Sequence, residues 1–144
     1  MENKLQFYID GKWVDPVVPK TLEVIDPSNE EPFARISMGS KADVDKAVAA
    51  ARRAFETWSR TSKEERLALM GKIVEVYQKR YGDIVQAISR EMGAPLGLSK
   101  NAQAAMGIAH FTQAMKVLKD FEFEKVEGTT AIVREPVGVV GMIT

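Results

Sequence analysis

The chain has 144 residues, 45% hydrophobic and 28% charged, and its 20 lysines and arginines balance 20 aspartates and glutamates. That length allows one domain with a core, and the charge balance leaves no net field to draw nucleic acid or an acidic membrane surface. With no cysteine, disulfides, thiolate metal sites and a cysteine nucleophile are excluded within these residues.

Residues 1–37 read as short strands and turns. Leu5–Ile9, Asp10–Gly11 and Lys12–Val14 form a hairpin signal, because Asp-Gly tolerates the positive φ angles of a tight type I′ turn. A second pair, Thr21–Ile25 and Phe33–Ser37, flanks a turn at Asp26–Glu30. Helices follow. Ser40 with Asp43 forms a capping signature, and Val44, Ala47, Val48, Ala51, Ala54, Phe55 and Trp58 keep helical spacing. Ser62 with Glu65 opens a second helix whose inner face is Leu67, Met70, Ile73, Val74 and Tyr77. A third, about Asp83 to Met92, stops at Gly93 with Pro95 beyond. A fourth runs from about Ser99 to Phe121, carrying Ala102, Ala105, Met106, Ala109 and Leu118.

Strand patterning returns after Phe121. Glu122–Val126 alternates charged and apolar residues, Gly128 turns the chain, and Thr129–Glu135 is rich in β-branched residues. Val137, Val139, Val140, Met142 and Ile143 then make a short apolar run that ends at Thr144. Such a run suits a strand buried on both faces of a parallel sheet, which needs neighbouring strands and covering helices. The expected class is therefore α/β, and the chain is expected to be the amino-terminal part of something longer. No apolar run reaches the roughly 20 residues of a membrane helix. The opening residues lack a signal-peptide pattern, so a cytoplasmic location is expected.

Few residues carry chemistry. His110 is the only histidine, and it lacks an orienting partner nearby in sequence; it reads as structural. Glu30-Glu31 and Glu64-Glu65 fit a turn and a helix start. Arg52, Arg53, Lys63, Arg66, Lys72, Lys79 and Arg80 are intermixed with acids, as on a solvated surface rather than a nucleic-acid stripe. Trp13, Phe55, Trp58, Tyr77 and Tyr81 read as core aromatics. Gly138-x-x-Gly141 is not a dinucleotide fingerprint; its glycines would let another backbone or a ligand approach the strand.

Several segments together resemble the aldehyde dehydrogenase superfamily. They are Tyr8-Ile-Asp-Gly-Lys-Trp13, Val24-Ile-Asp-Pro27, Ala42-Asp-Val-Asp-Lys-Ala-Val48, Ala51-Arg-Arg-Ala-Phe55 with Trp58, Glu65-Arg66, Glu91-Met-Gly-Ala-Pro95 and Arg134-Glu-Pro-Val-Gly-Val-Val-Gly-Met-Ile-Thr144. The resemblance spans essentially the whole chain in order. It implies an enzyme that oxidises an aldehyde to a carboxylic acid with NAD or NADP, through a cysteine thiohemiacetal. It also implies an aldehyde dehydrogenase-like fold cut at the first strand of the cofactor-binding sheet. Residues 1–121 would wrap the cofactor domain, and 122–136 would form an oligomerisation-arm hairpin that builds a homodimer or homotetramer. Residues 137–144 would be the incomplete first cofactor strand. In relatives that strand leads into Pro-Trp-Asn, whose asparagine stabilises the oxyanion, and the nucleophilic cysteine and general-base glutamate lie further on.

On this resemblance no catalytic residue falls within the chain, and the cofactor-binding candidates are Ile143 and Thr144, at the strand's carboxyl end. Met92 stands where many relatives have an aspartate that helps hold a structural monovalent cation with carbonyls matching Val24 and Ile25, so no metal site is expected. Pro95 stands where many have lysine. Ala104, Gly107, His110 and Phe111 are candidates for bordering the substrate entrance. The segment alone is expected to be inactive and aggregation-prone. The alternatives are a non-catalytic short product that pairs with full-length subunits through its arm, and an independent helical domain whose resemblance is historical. Neither nucleic acid nor membrane is expected as a partner.

Overall fold

The structure is a computed structural model that describes residues 1–143. Five strands come first: β1 (Glu2–Lys4), β2 (Phe7–Ile9), β3 (Lys12–Val14), β4 (Thr21–Asp26) and β5 (Glu31–Ser37). The helices are α1 (Lys41–Trp58), α2 (Lys63–Lys79), α3 (Tyr81–Met92), the short α4 (Leu96–Leu98) and α5 (Ala104–Asp120), with a π-helical segment at Ser99–Gln103. A hairpin of β6 (Glu124–Glu127) and β7 (Thr130–Val133) closes the sequence of elements.

Turn chemistry places the hairpins where the sequence expects them. Asp10 and Gly11 both take positive φ, 56° and 77°, and β2 pairs antiparallel with β3. β4 and β5 join through a turn in which the Asp26 carbonyl accepts from the Glu30 amide at 2.8 Å. β5 extends further back than expected, through Pro32. The register of β4 against β5 shifts between Val24 and Ile25, and proline is tolerated at such a bulge because it has no N–H to donate. β1 joins β5 in parallel, giving the order β1-β5-β4. No sequence signal marks β1: its three residues are polar, and its partner is about thirty positions away.

Capping starts α1 and α2. At α2 the Ser62 Oγ accepts from the Glu65 amide at 3.1 Å, and Glu65 Oε2 accepts from the Ser62 amide at 2.7 Å. At α1 the Asp43 carboxylate does more than cap. Its Oδ2 accepts from the Ser40 amide and hydroxyl at 2.8 and 2.6 Å, and its Oδ1 accepts from the Val17 amide at 2.9 Å. Asp43 is only 5% exposed, so this one side chain ties the β3–β4 connection to the first turn of α1. The Ser40 hydroxyl and the Val17 and Ser40 amides hold its carboxyl below the ordinary aspartate value.

The fourth helix is continuous in course from Leu96 to Asp120, but its beginning is wider than an α-helix. The Ala104 amide donates to the Ser99 carbonyl, a π-type bond. Tyr77, on the last turn of α2, donates its hydroxyl to the Ala104 carbonyl at 2.9 Å. Its ring lies against Gly107, where a Cβ would stand 2.6 Å from Cζ.

The apolar core is small. Among the described residues the buried apolar side chains are Ala34, Ala50, Val85 and Ala104. The exposed area is 11114 Å², against about 7400 Å² for a compact monomer of this mass. The apolar face expected for α1 is largely open, with Val44 and Val48 exposed. Trp13 and Trp58 are exposed as well, while Phe55, Tyr77 and Tyr81 are half-buried; the expectation that all five are core aromatics is corrected to that extent. Tyr8 meets the Trp13 ring edge-on at 5.3 Å and the Arg66 guanidinium lies 5.9 Å from the Trp58 ring centroid, so each is covered on one side only.

Two outcomes are expected. Gly107→Ala forces a methyl into the Tyr77 ring and lowers stability by about 1–3 kcal/mol, read from urea midpoints. Folding holds the Asp43 carboxyl below its unfolded value, so its contribution is present above the ordinary carboxylate range and lost as pH falls through the lowered value. Asp43→Asn is therefore less stable at neutral pH and loses less of its stability on acidification, as a pH series of urea midpoints shows.

Candidate functional site

Three helix ends and the last hairpin meet at one junction. α2 starts beside the carboxyl ends of α1 and α5, where unpaired carbonyls favour cations. Lys63, in the first turn of α2, donates Nζ to the Lys119 carbonyl at 3.0 Å and reaches the Phe121 carbonyl at 3.4 Å. Arg66, one turn on, donates Nε to the Thr61 hydroxyl at 2.9 Å, and its Nη2 lies 3.5 Å from the Trp58 and Ser59 carbonyls. These cations therefore cap neighbouring helices, a role that their place on a polar face does not show.

The hairpin is fixed to this junction by Arg134. Its amide donates to the Phe123 carbonyl at 2.8 Å, its guanidinium donates to the Glu122 carbonyl at 3.0 Å, and it lies 5.4 Å from the Phe121 ring centroid. Phe121 and Phe123 meet edge to face at 4.9 Å. Beyond this base the hairpin is open: every residue of β6 and β7 is exposed, with Val126 at 74%. The observed strands are shorter than the expected Glu122–Val126 and Thr129–Glu135, since pairing runs only from Glu124↔Val133 to Glu127↔Thr130.

Residues 134–143 hold no strand, whereas a first cofactor strand is expected over 137–144. A lone strand has no partner for its backbone donors and acceptors, and none of the sheets extends to it. Gly138 takes φ 117°, outside the strand region. Of the two cofactor-binding candidates, Ile143 is 98% exposed, and Thr144 lies outside the described residues. Among the described residues, Ile143 therefore stands in solvent and lines no site.

The remaining candidates separate. Ala104 is buried, Gly107 and Phe111 are half-buried on the same side of α5, and His110 points outward and is exposed. At the corner after α3, Gly93 takes φ 69° and sits so close to the β4–β5 turn that a Cβ would meet Pro27 Cγ at 2.8 Å. Met92 is 58% exposed there. The nearby Asp26 carboxylate accepts from the Ser28 hydroxyl and amide at 2.6 and 2.9 Å, which lowers its pKa. Among the described residues no group of three or more histidines, cysteines or acids could hold a metal, and no helix is long and apolar enough to cross a membrane.

The mixed α/β arrangement of strands and helices is shared with solved structures of known proteins. The sequence model of the aldehyde dehydrogenase family matches residues 13–144, and the chain belongs to that family. It is 47% identical over its whole length to a 3-succinoylsemialdehyde-pyridine dehydrogenase of a Pseudomonas species, of which it spans 30%. A crystal structure of aldehyde dehydrogenase from Bartonella henselae superposes with a TM-score of 0.87 and 50% identity, over 90% of this chain and 28% of that one. A variant of aldehyde dehydrogenase C from Pseudomonas syringae, solved with NAD+ and octanal, superposes with a TM-score of 0.89 and 45% identity, over 92% and 27%. The chain thus corresponds to an amino-terminal portion of its relatives and spans about 30% of the length of the curated ones.

Arg134 generates a prediction at the hairpin base. Arg134→Ala removes a charge-assisted bond and a ring contact, at a cost of about 1 kcal/mol. Hydrogen exchange and proteolysis should then speed up across 122–136 while α2 and α5 keep their protection.

Proposed function

We propose that this chain is the amino-terminal part of a cytoplasmic NAD(P)-dependent aldehyde dehydrogenase that converts an aldehyde to a carboxylic acid through a cysteine thiohemiacetal. The observation that carries this reading is the 47% identity along the entire chain to a dehydrogenase of which it spans only 30%. The physical counterpart is the excess exposed area and the open apolar side of α1 and of residues 137–143, surface that soluble monomers avoid and that a longer polypeptide would cover.

The reaction needs a thiolate to add to the aldehyde carbonyl, an oxidant to take the hydride and water to release the acid. The residues described do not by themselves fit a dinucleotide. Among the described residues the run at 134–143 is unpaired, and Ile143 is exposed. No chemical step is therefore assigned to them, and the segment alone is inactive. Its part is scaffolding: the strands and helices support the cofactor domain, Ile143 and Thr144 supply backbone contacts to NAD or NADP once their strand is paired, and the 122–136 hairpin joins subunits into a homodimer or homotetramer. The free edges of β6 and β7 support the last of these, since unpaired strand edges invite pairing with another chain.

The test is the intact denatured mass of the polypeptide made from its native gene, followed by an assay of aldehyde-dependent NAD(P)H formation. A mass well above the 16.0 kDa of these residues, with NAD(P)H formed by the whole polypeptide and none by the segment, is expected. A native product of 16.0 kDa would overturn the enzyme reading and leave a non-catalytic partner of longer subunits.

A further inference from the structure

Two phenols converge on the π-helical stretch at Ser99–Gln103. Tyr77 and Tyr81 lie one turn apart across the α2–α3 junction, with ring centroids 6.4 Å apart. Tyr81 donates its hydroxyl to the Lys100 carbonyl, inside the π segment, and Tyr77 donates to the Ala104 carbonyl at its end. A π turn carries one residue more than the α turn it replaces, so its carbonyls lose the regular succession of in-helix partners. Tyr81 donates inside the π segment, and Tyr77 donates to the first residue of the regular helix that follows it. The segment is anchored from the other side by Ser99, which is wholly buried, with its Oγ 3.4 Å from the Ala94 carbonyl. By contrast Ala102, within the same turn, is exposed.

We propose that Tyr77 and Tyr81 form a register lock: their hydroxyls hold the extra residue at Ser99–Gln103 and so fix the rotation of α5. Slipping the extra residue out of this turn would rotate α5 against α4 by about 100°. Such a rotation would carry Gly107 away from the Tyr77 ring and bring a side chain to a place where even a methyl does not fit. The phenols and the glycine thus enforce the same register by attraction and by exclusion. The face of α5 that carries Ala104, Gly107 and Phe111 stays turned inward, and His110 stays outward.

Tyr81→Phe in the full-length polypeptide keeps the ring and removes only the donor. Exchange of the amides at 99–104, followed by mass spectrometry, should rise about tenfold, the equivalent of one net hydrogen bond, with the amides at 110–118 unchanged. Deleting Ala102 removes the extra residue, so in the Tyr81→Phe background it should restore protection at 99–104. The deletion should also lower Tm less in that background than in the wild type, a coupling that a merely structural tyrosine would not give. Unchanged exchange at 99–104 in Tyr81→Phe, or equal effects of the deletion in both backgrounds, would overturn the lock. Tyr77→Phe, which retains the ring over Gly107, reads the same amides if Tyr81→Phe does not yield folded protein.

Discussion

The helical layer depends on one close contact, the Tyr77 ring lying on the bare backbone of Gly107. Without a side chain at 107, α5 can approach α2 closely enough for the Tyr77 hydroxyl to reach the Ala104 carbonyl one turn earlier. Ala104 is buried at this contact and is one of four buried apolar residues among the described ones. With so small a core, area burial contributes little to uniqueness, and polar bonds of defined direction set how α5 lies. The same logic holds at the other end of α5, where Lys63 draws the Lys119 and Phe121 carbonyls to the start of α2. The α2–α5 pair is therefore fixed at both ends by donors from α2, Tyr77 at one end and Lys63 at the other.

A second fixing point joins the strands to the helices. Asp43 is a first-turn acid at a helix amino terminus, where a negative charge is favourable, and it also accepts the Val17 amide from the segment between β3 and β4. A neutral cap could satisfy the helix but not both partners with charge-assisted bonds. At α3 the coupling is steric instead: Gly93 lets the corner close on Pro27, and Arg90 lies 4.3 Å over the Phe33 ring of β5. The strands thus hold the helices by points rather than by a shared broad core, which is consistent with the large exposed area.

Local signals were legible in the sequence, and long-range ones were not. The Asp10-Gly11 turn, the Ser62–Glu65 box and the Gly93 stop each rest on residues a few positions apart, and each stands where the sequence puts it. β1 was invisible because its pairing with β5 is non-local and its residues are polar. The π segment was invisible because its partners, Tyr77 and Tyr81, lie about twenty or more positions upstream, and no periodicity reports a phenol reaching a carbonyl. Burial failed in a different way. Helical spacing correctly picks an apolar face on α1, but spacing cannot say whether anything covers it, and Val44 and Val48 stand exposed. At the candidate site, the apolar pattern of 137–143 reports the environment such a strand requires, not one that these residues supply.

That last distinction explains why Ile143 is uninformative in isolation while Arg134 is not. A backbone that binds a ligand at the carboxyl end of a strand depends on neighbouring strands to hold its position, and at Ile143 none is present among the described residues. Arg134 needs only the chain before it, because its amide and guanidinium reach Phe123 and Glu122 of the same hairpin. The hairpin base is consequently formed by local contacts, while the apolar run beyond it holds no strand among the described residues. A hairpin rooted by Arg134 but open along both edges presents its backbone groups in a fixed direction. It also leads directly into that run, so any subunit contact made through β6 and β7 would act on the same short stretch, residues 134–136, from which the apolar run departs.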